Sequence, residues 1–132
     1  MPDVTQTQSN ETLPDELARR NVCYLTTTGR ITGNSHEIEI WFAARGDTIY
    51  ILSGGRDRAD WVKNIAKTPN VRVRFDNQVY TGTGRIVGAE EPDDRIAREA
   101  LATKYYGWRE GRPINNWGRE SLPVAISLDG NA

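Results

Sequence analysis

Short runs of alternating apolar and polar residues predict most of the elements in this chain. Val22–Thr27 is β-branched and aromatic and reads as a first strand. In Ser35–Ala44, Ile38, Ile40 and Phe42 fall on one face and Glu37, Glu39 and Trp41 on the other, which predicts a second strand. Gly46-Asp47 is a tight turn into a third strand, Thr48–Ser53, so these two strands form a hairpin. Val71–Phe75 is a fourth strand, with its valines and Phe75 facing one way and Arg72 and Arg74 the other. Asp76-Asn77 turns the chain into a fifth strand, Gln78–Val87, where Gly82 and Gly84 predict a bulge or a close backbone approach. Ser121–Leu128 is a last strand, with Leu122, Val124, Ile126 and Leu128 alternating.

The helical pattern is sparser. Pro14 opens a short helix reaching about Arg20, with Leu13 and Leu17 four apart on one face. A second helix runs from about Asp57, its expected N-cap, to Lys67, where Thr68-Pro69 stops it. A third spans Glu91 to about Tyr106, with Ile96, Ala100 and Leu101 inward. Gly107–Glu120 reads as irregular, and Met1–Thr12 as a disordered polar tail before one domain at 13–132. Six strands with few helices between them argue against a doubly wound parallel sheet. They predict a mainly β fold, an antiparallel barrel with helices packed at its ends, whose closure protects the strand edges.

Composition narrows the function. With 17 basic and 18 acidic residues the net charge is −1, which favours neither nucleic acid nor an anionic membrane as partner. No apolar run approaches the ~20 residues of a membrane span, and the polar N-terminus carries no signal-peptide pattern, so a cytoplasmic protein is expected. The single cysteine, Cys23, reads as an inert buried thiol, and one His with one Cys makes no usual zinc site. No Ser-His-Asp, Cys-His or paired-carboxylate constellation suggests a hydrolase.

The candidate chemistry lies in Thr26–Ser35, a loop of small and hydroxyl residues, together with Gly54-Gly55 at the end of the third strand. Such loops let backbone N–H groups approach an anion, and Arg30 adds a fixed positive charge, so the region reads as the site of a phosphate-bearing cofactor. Each residue also has a plainer reading. Arg30 can be a solvated turn residue, His36 an exposed strand residue and Trp61 core packing. Asn64 can bridge its helix to a loop, and Ser53 can bind its own backbone. Tyr105, Tyr106, Trp108 and Trp117 form either a hydrophobic lid on the barrel or a substrate-pocket wall.

Leu-Thr-Thr-Thr-Gly-Arg-Ile-Thr-Gly at 25–33 resembles the Thr-Thr-Gly-Arg-x-Ser/Thr-Gly signature of the deazaflavin-dependent nitroreductase family, within the split-barrel flavin-binding superfamily that includes the pyridoxamine phosphate oxidases. Asp60-Trp61-x-x-Asn64, then Lys-Thr-Pro-Asn-Val at 67–71, and Trp117 followed by Leu122-Pro123-Val124 resemble the family's later motifs in the same order. The resemblance implies a six-stranded split β-barrel binding coenzyme F-420, or FMN as in relatives, and passing a hydride to a small conjugated, quinone-like or nitroaromatic acceptor. It also implies a homodimer. Carried over, it assigns cofactor contacts to Thr28, Arg30, Thr32, Asn34, His36, Trp41, Ser53, Gly54, Gly55, Arg56, Trp61 and Asn64. It fixes no catalytic residue; Ser53, Trp41, Tyr105 and Tyr106 are the candidates. The chain departs from the pattern at three positions: Ile31 stands where the family has Lys, His36 where it typically has a second Arg, and Glu39 where it often has Pro. Two lost cations keep a second class open, a split barrel that carries a flavin-like ligand without turnover, beside an FMN-dependent oxidase-like enzyme.

Overall fold

A computed structural model describes residues 13–131, so the expected N-terminal tail lies outside the described residues. In chain order the elements are α1 (Asp15–Ala18), β1 (Cys23–Thr28), β2 (Ser35–Ile40), β3 (Ala43–Arg45), β4 (Thr48–Ser53), a 3-10 turn (Arg56–Arg58), α2 (Asp60–Lys67), β5 (Asn70–Phe75), β6 (Gln78–Ile86), α3 (Pro92–Tyr106), α4 (Asn116–Glu120) and β7 (Leu122–Asn131). The seven strands form one sheet in the order β2-β1-β5-β6-β7-β4-β3, and every pairing is antiparallel.

That order explains the shape. The two edge strands, β2 and β3, are consecutive in sequence, and only Trp41 and Phe42 lie between them. Two residues span only ~7 Å, so both edges meet at this corner and the sheet must curl into a barrel. The inward residues fill the interior: Leu25, Phe42, Ile49, Ile51, Val73, Phe75, Val124 and Ile126 are all buried. Phe75 lies between Phe42 and Tyr80, with edge-on centroid distances of 5.1 and 5.8 Å. Each such side chain contributes roughly 1.5–3 kcal/mol on burial. The α2 helix plugs one end with Val62 and Ile65. A second apolar layer forms under α3, where Ala97 and Leu101 cover Tyr50, Leu52 and Ala125. As a result β4 is covered on both faces.

Four expectations are corrected. The run Ser35–Ala44 is two strands, not one, so the sheet has seven strands rather than six. The alternation continues through the break because Phe42 stays inward, and what breaks the strand is tertiary. The Phe42 amide donates to Tyr105 Oη at 3.0 Å, and its carbonyl accepts from Lys104 Nζ at 2.9 Å, so α3 takes the groups a sheet neighbour would have used. The helix expected from Asp57 begins at Asp60; Ala59 is its N-cap, and Asp57 lies in the preceding 3-10 turn. The segment read as irregular contains α4, capped by Asn115, whose side chain accepts from the Gly118 amide at 3.0 Å. The last strand runs to Asn131 rather than Leu128. The expected irregularity in β6 is present, as a register shift between Thr81 and Gly82.

Candidate functional site

A cleft of about 520 Å³ opens between the β1–β2 hairpin and α2. Thr27, His36 and Ile38 come from the two strands, Gly29, Arg30, Ile31, Thr32 and Asn34 from the loop joining them, and Asp60, Trp61 and Asn64 from α2. The loop is closed by its own backbone, with Gly29 N–H donating to Asn34 O at 2.7 Å and Gly33 N–H to Gly29 O at 2.9 Å. Gly33 sits at φ +80°, where a side chain would be strained. At Gly29 an added Cβ would lie 2.8 Å from His36 Nε2, so only glycine lets the imidazole pack against the loop. The Thr32 hydroxyl accepts from Asn34 N–H at 3.1 Å.

The α2 helix holds this loop from below. Asn64 is buried, and its Oδ1 accepts from Arg30 N–H at 3.1 Å and from Arg30 Nη1 at 3.0 Å. Its Nδ2 donates to Thr27 Oγ1 at 3.1 Å. Lys67 Nζ donates to the Arg30 carbonyl at 2.9 Å, and Arg30 Nη2 pairs with Asp60 Oδ1 at 3.2 Å. The guanidinium is therefore aimed and partly buried, yet it has more N–H donors than these two side chains use. Beside it Ile38 and Trp61 supply apolar wall. One fixed cation next to apolar wall, in a cleft of this size, suits an anionic group attached to a planar ring.

Of the expected cofactor contacts, the structure brings Arg30, Thr32, Asn34, His36, Trp61 and Asn64 to this cleft. Thr28 faces a separate depression with Ser35 and Arg72. Ser53, Gly54, Gly55 and Arg56 do not line the cleft. Ser53 is buried and its hydroxyl donates to Arg56 O at 2.9 Å, which is the backbone role. Arg56 hydrogen-bonds the Glu120 carbonyl. The contacts carried over from the resemblance left out Thr27, Gly29, Ile31, Ile38 and Asp60, which also line the cleft. Asp60 stands four residues before Asn64, and that spacing puts both on one helix face.

The aromatic residues gather elsewhere. Trp41 stacks on Tyr105 with centroids 4.3 Å apart and planes within 5°. Trp117 meets Trp41 edge-on at 5.6 Å, and Tyr106 touches both Trp41 and Trp117. Trp108 is not in this group; its indole N–H donates to Arg112 O at 2.7 Å. The box stays on the surface, with Trp41 40% and Tyr106 53% exposed. Tyr105 is committed, since its hydroxyl lies 2.7 Å from Asn21 O and 3.0 Å from Phe42 O, and burial pushes its pKa up to about 12. Burial likewise pushes the Cys23 thiol up to about 12. Among the described residues no three His, Cys, Asp or Glu side chains are placed to hold a metal ion, and no helix is long and apolar enough to cross a membrane.

The curled sheet and its cleft define a split β-barrel of the pyridoxamine phosphate oxidase type. A conserved hypothetical protein from Mycobacterium tuberculosis superposes with a TM-score of 0.70 at 18% identity, over 96% of this chain and 88% of that one. A candidate pyridoxamine 5'-phosphate oxidase from Listeria innocua gives 0.63 at 17% identity, over 88% and 90%. An F-420-H2 dependent reductase gives 0.61 at 19% identity, over 83% and 94%. The chain belongs to the F-420H(2)-dependent quinone reductase family, which it matches over residues 3–126. It is thus a reductase, and its cofactor is coenzyme F-420.

Proposed function

We propose that the cleft between the β1–β2 hairpin and α2 holds coenzyme F-420, and that the protein passes hydride from its reduced form to a small quinone-like, conjugated or nitroaromatic acceptor. The observation that carries this reading is the Arg30 guanidinium, held in place by Asn64 at the end of an apolar wall. Arg30, Thr32 and His36 would hold the phosphodiester, and Ile38 and Trp61 would flank the organic part. Bound coenzyme F-420 supplies the hydride; the protein positions it and keeps water away. Tyr106 is the candidate for handling the acceptor. It is exposed at the box, and its hydroxyl has no hydrogen-bond partner among the described residues, unlike those of Ser53 and Tyr105.

The test is stopped-flow reduction of menadione by reduced coenzyme F-420 with the purified chain. Turnover that falls in Arg30→Ala supports the reading; tight cofactor binding without turnover on any acceptor would instead favour a carrier. We also propose that the protein works in the cytoplasm as a homodimer. Light scattering that finds only a 14.8 kDa species would overturn the dimer.

A further inference from the structure

We propose that the cleft is built for a cofactor with one negative charge beside its ring, and that Asp60 and Ile31 turn additional charges away, so that binding does not depend on the length of an acidic tail. This rests on the reading that the cleft holds coenzyme F-420, whose tail is polyanionic.

The charges around the cleft carry the argument. Among the described residues that line it, Arg30 is the only fixed cation and Asp60 the only carboxylate. Lys67 is near, but its ammonium is tied to the Arg30 carbonyl at 2.9 Å. Arg56, Arg58 and Lys63, the other cations of this segment, do not line the cleft. With Lys67 included, two positive charges face one negative, so a single phosphodiester completes neutrality. The Asp60 side chain is 85% exposed and stands 3.2 Å from Arg30 Nη2, so it holds the guanidinium edge that a second anionic group would need. Ile31 follows Arg30 and is also 85% exposed. The lining beside the guanidinium therefore offers an aliphatic side chain and a carboxylate, and a tail of glutamates passing them meets repulsion from Asp60 and no second fixed cation of the cleft.

The test is a fluorescence titration of the full chain with three ligands: the deazaflavin ring and side chain without phosphate, the cofactor with a short oligoglutamate tail, and the cofactor with a long one. Dissociation constants within about twofold for the two tails are expected, with the phosphate-free form weaker by roughly tenfold to a hundredfold. Asp60→Asn should tighten both tailed forms roughly twofold to fivefold. Ile31→Lys should make the long tail bind more tightly than the short one. Both substitutions are on exposed positions, so circular dichroism of the variants should match the parent. A parent that binds the long tail about tenfold more tightly than the short one at low salt, or an Asp60→Asn variant that leaves every dissociation constant unchanged, would overturn the inference while leaving the cofactor reading intact. If none of the three ligands bound, the cofactor reading itself would fall, and this inference with it.

Discussion

Asn64 Oδ1 accepts from both the backbone N–H and the guanidinium of Arg30, so one buried amide fixes the loop and the charge it carries. Its other end donates to Thr27 Oγ1, itself buried on β1. Asn64→Ala would leave the Thr27 hydroxyl without its donor and free the Arg30 amide, at a cost of about 1–3 kcal/mol. Urea unfolding should show that loss. Cofactor affinity should fall as well, because the loop is no longer held against α2. A variant as stable as the parent would mean that solvent replaces these bonds.

Arg30 can be tested separately from the fold, because its side chain lies at the surface end of the network. If it makes a charge-assisted bond to the phosphodiester, Arg30→Ala weakens binding by roughly 1.5–3 kcal/mol with little change in melting temperature. Arg30→Lys should recover only part of the loss, since an ammonium cannot reach Asn64, Asp60 and an anion with a fork. An unchanged dissociation constant in Arg30→Ala removes this residue from the site.

Trp41 bears on whether the aromatic box meets the cofactor ring. Its stack on Tyr105 is worth about 0.5–1.5 kcal/mol beyond area burial. If the box encloses the ring, Trp41→Ala should weaken binding of the deazaflavin but not of a phosphate analogue that lacks it. Parallel isothermal titrations with the two ligands decide this. Equal affinities for parent and variant would make the box a lid on the barrel and nothing more.

Two glycines with opposite surroundings separate backbone fit from ligand contact. At Gly82 an added Cβ would lie 2.8 Å from the Ser127 carbonyl oxygen and 2.9 Å from Ile126 Cγ2, so Gly82→Ala should destabilise by about 1–3 kcal/mol. At Gly54 an added Cβ would meet no atom of the described residues within 4 Å. Gly54→Ala should leave stability unchanged or raise it by about 0.4–1 kcal/mol through the unfolded chain. A Gly54→Ala variant that melts like the parent but binds cofactor poorly would bring the end of β4 back into the site; unchanged binding keeps it out.

Local pattern was enough for most of the barrel. Alternation in Asn70–Phe75 is a two-residue period set by one buried face, and it reads directly from the sequence; Ser35–Ile40 repeats it with Ile38 and Ile40 half-buried, and the C-terminal strand with Val124 and Ile126 turned into the barrel. Gly82 announced a close approach because a strand glycine has few other uses. What stayed hidden depended on distant residues. Nothing near Trp41-Phe42 marks the barrel corner, because its backbone partners are Tyr105 and Lys104, more than sixty residues later. The same holds for the cleft. The loop motif drew attention to Arg30, but the partner that orients it is Asn64, and the opposing charge of Asp60 appears only once α2 is packed against the hairpin.

Lys104 and Cys23 make opposite contributions to stability in alkali, and the contrast can be measured. Lys104 Nζ donates to Ala18 O at 3.1 Å and Phe42 O at 2.9 Å and stands 3.8 Å from the Phe42 ring centroid; burial pulls its pKa down to about 8. A free lysine titrates near ~10.4. Below about pH 8 both states hold the proton and the penalty of burying the charge is present in full. From there to ~10.4 the unfolded chain binds more protons, so this group makes stability rise with pH. Cys23 acts the other way. Burial pushes its pKa up to about 12, whereas a free thiol ionises near ~8.5, so the unfolded chain loses its proton first and stability falls above that pH. In Lys104→Met the rise should vanish and urea midpoints should decline steadily above about pH 8.5. In Cys23→Ala the midpoint should climb until about pH 10, where Tyr105, with its pKa raised to about 12 by burial, begins to oppose it. A Cys23→Ala variant with a flat profile between about pH 8 and pH 10 would show that Lys104 keeps an ordinary pKa and that the corner at Phe42 is more open to water than its contacts imply.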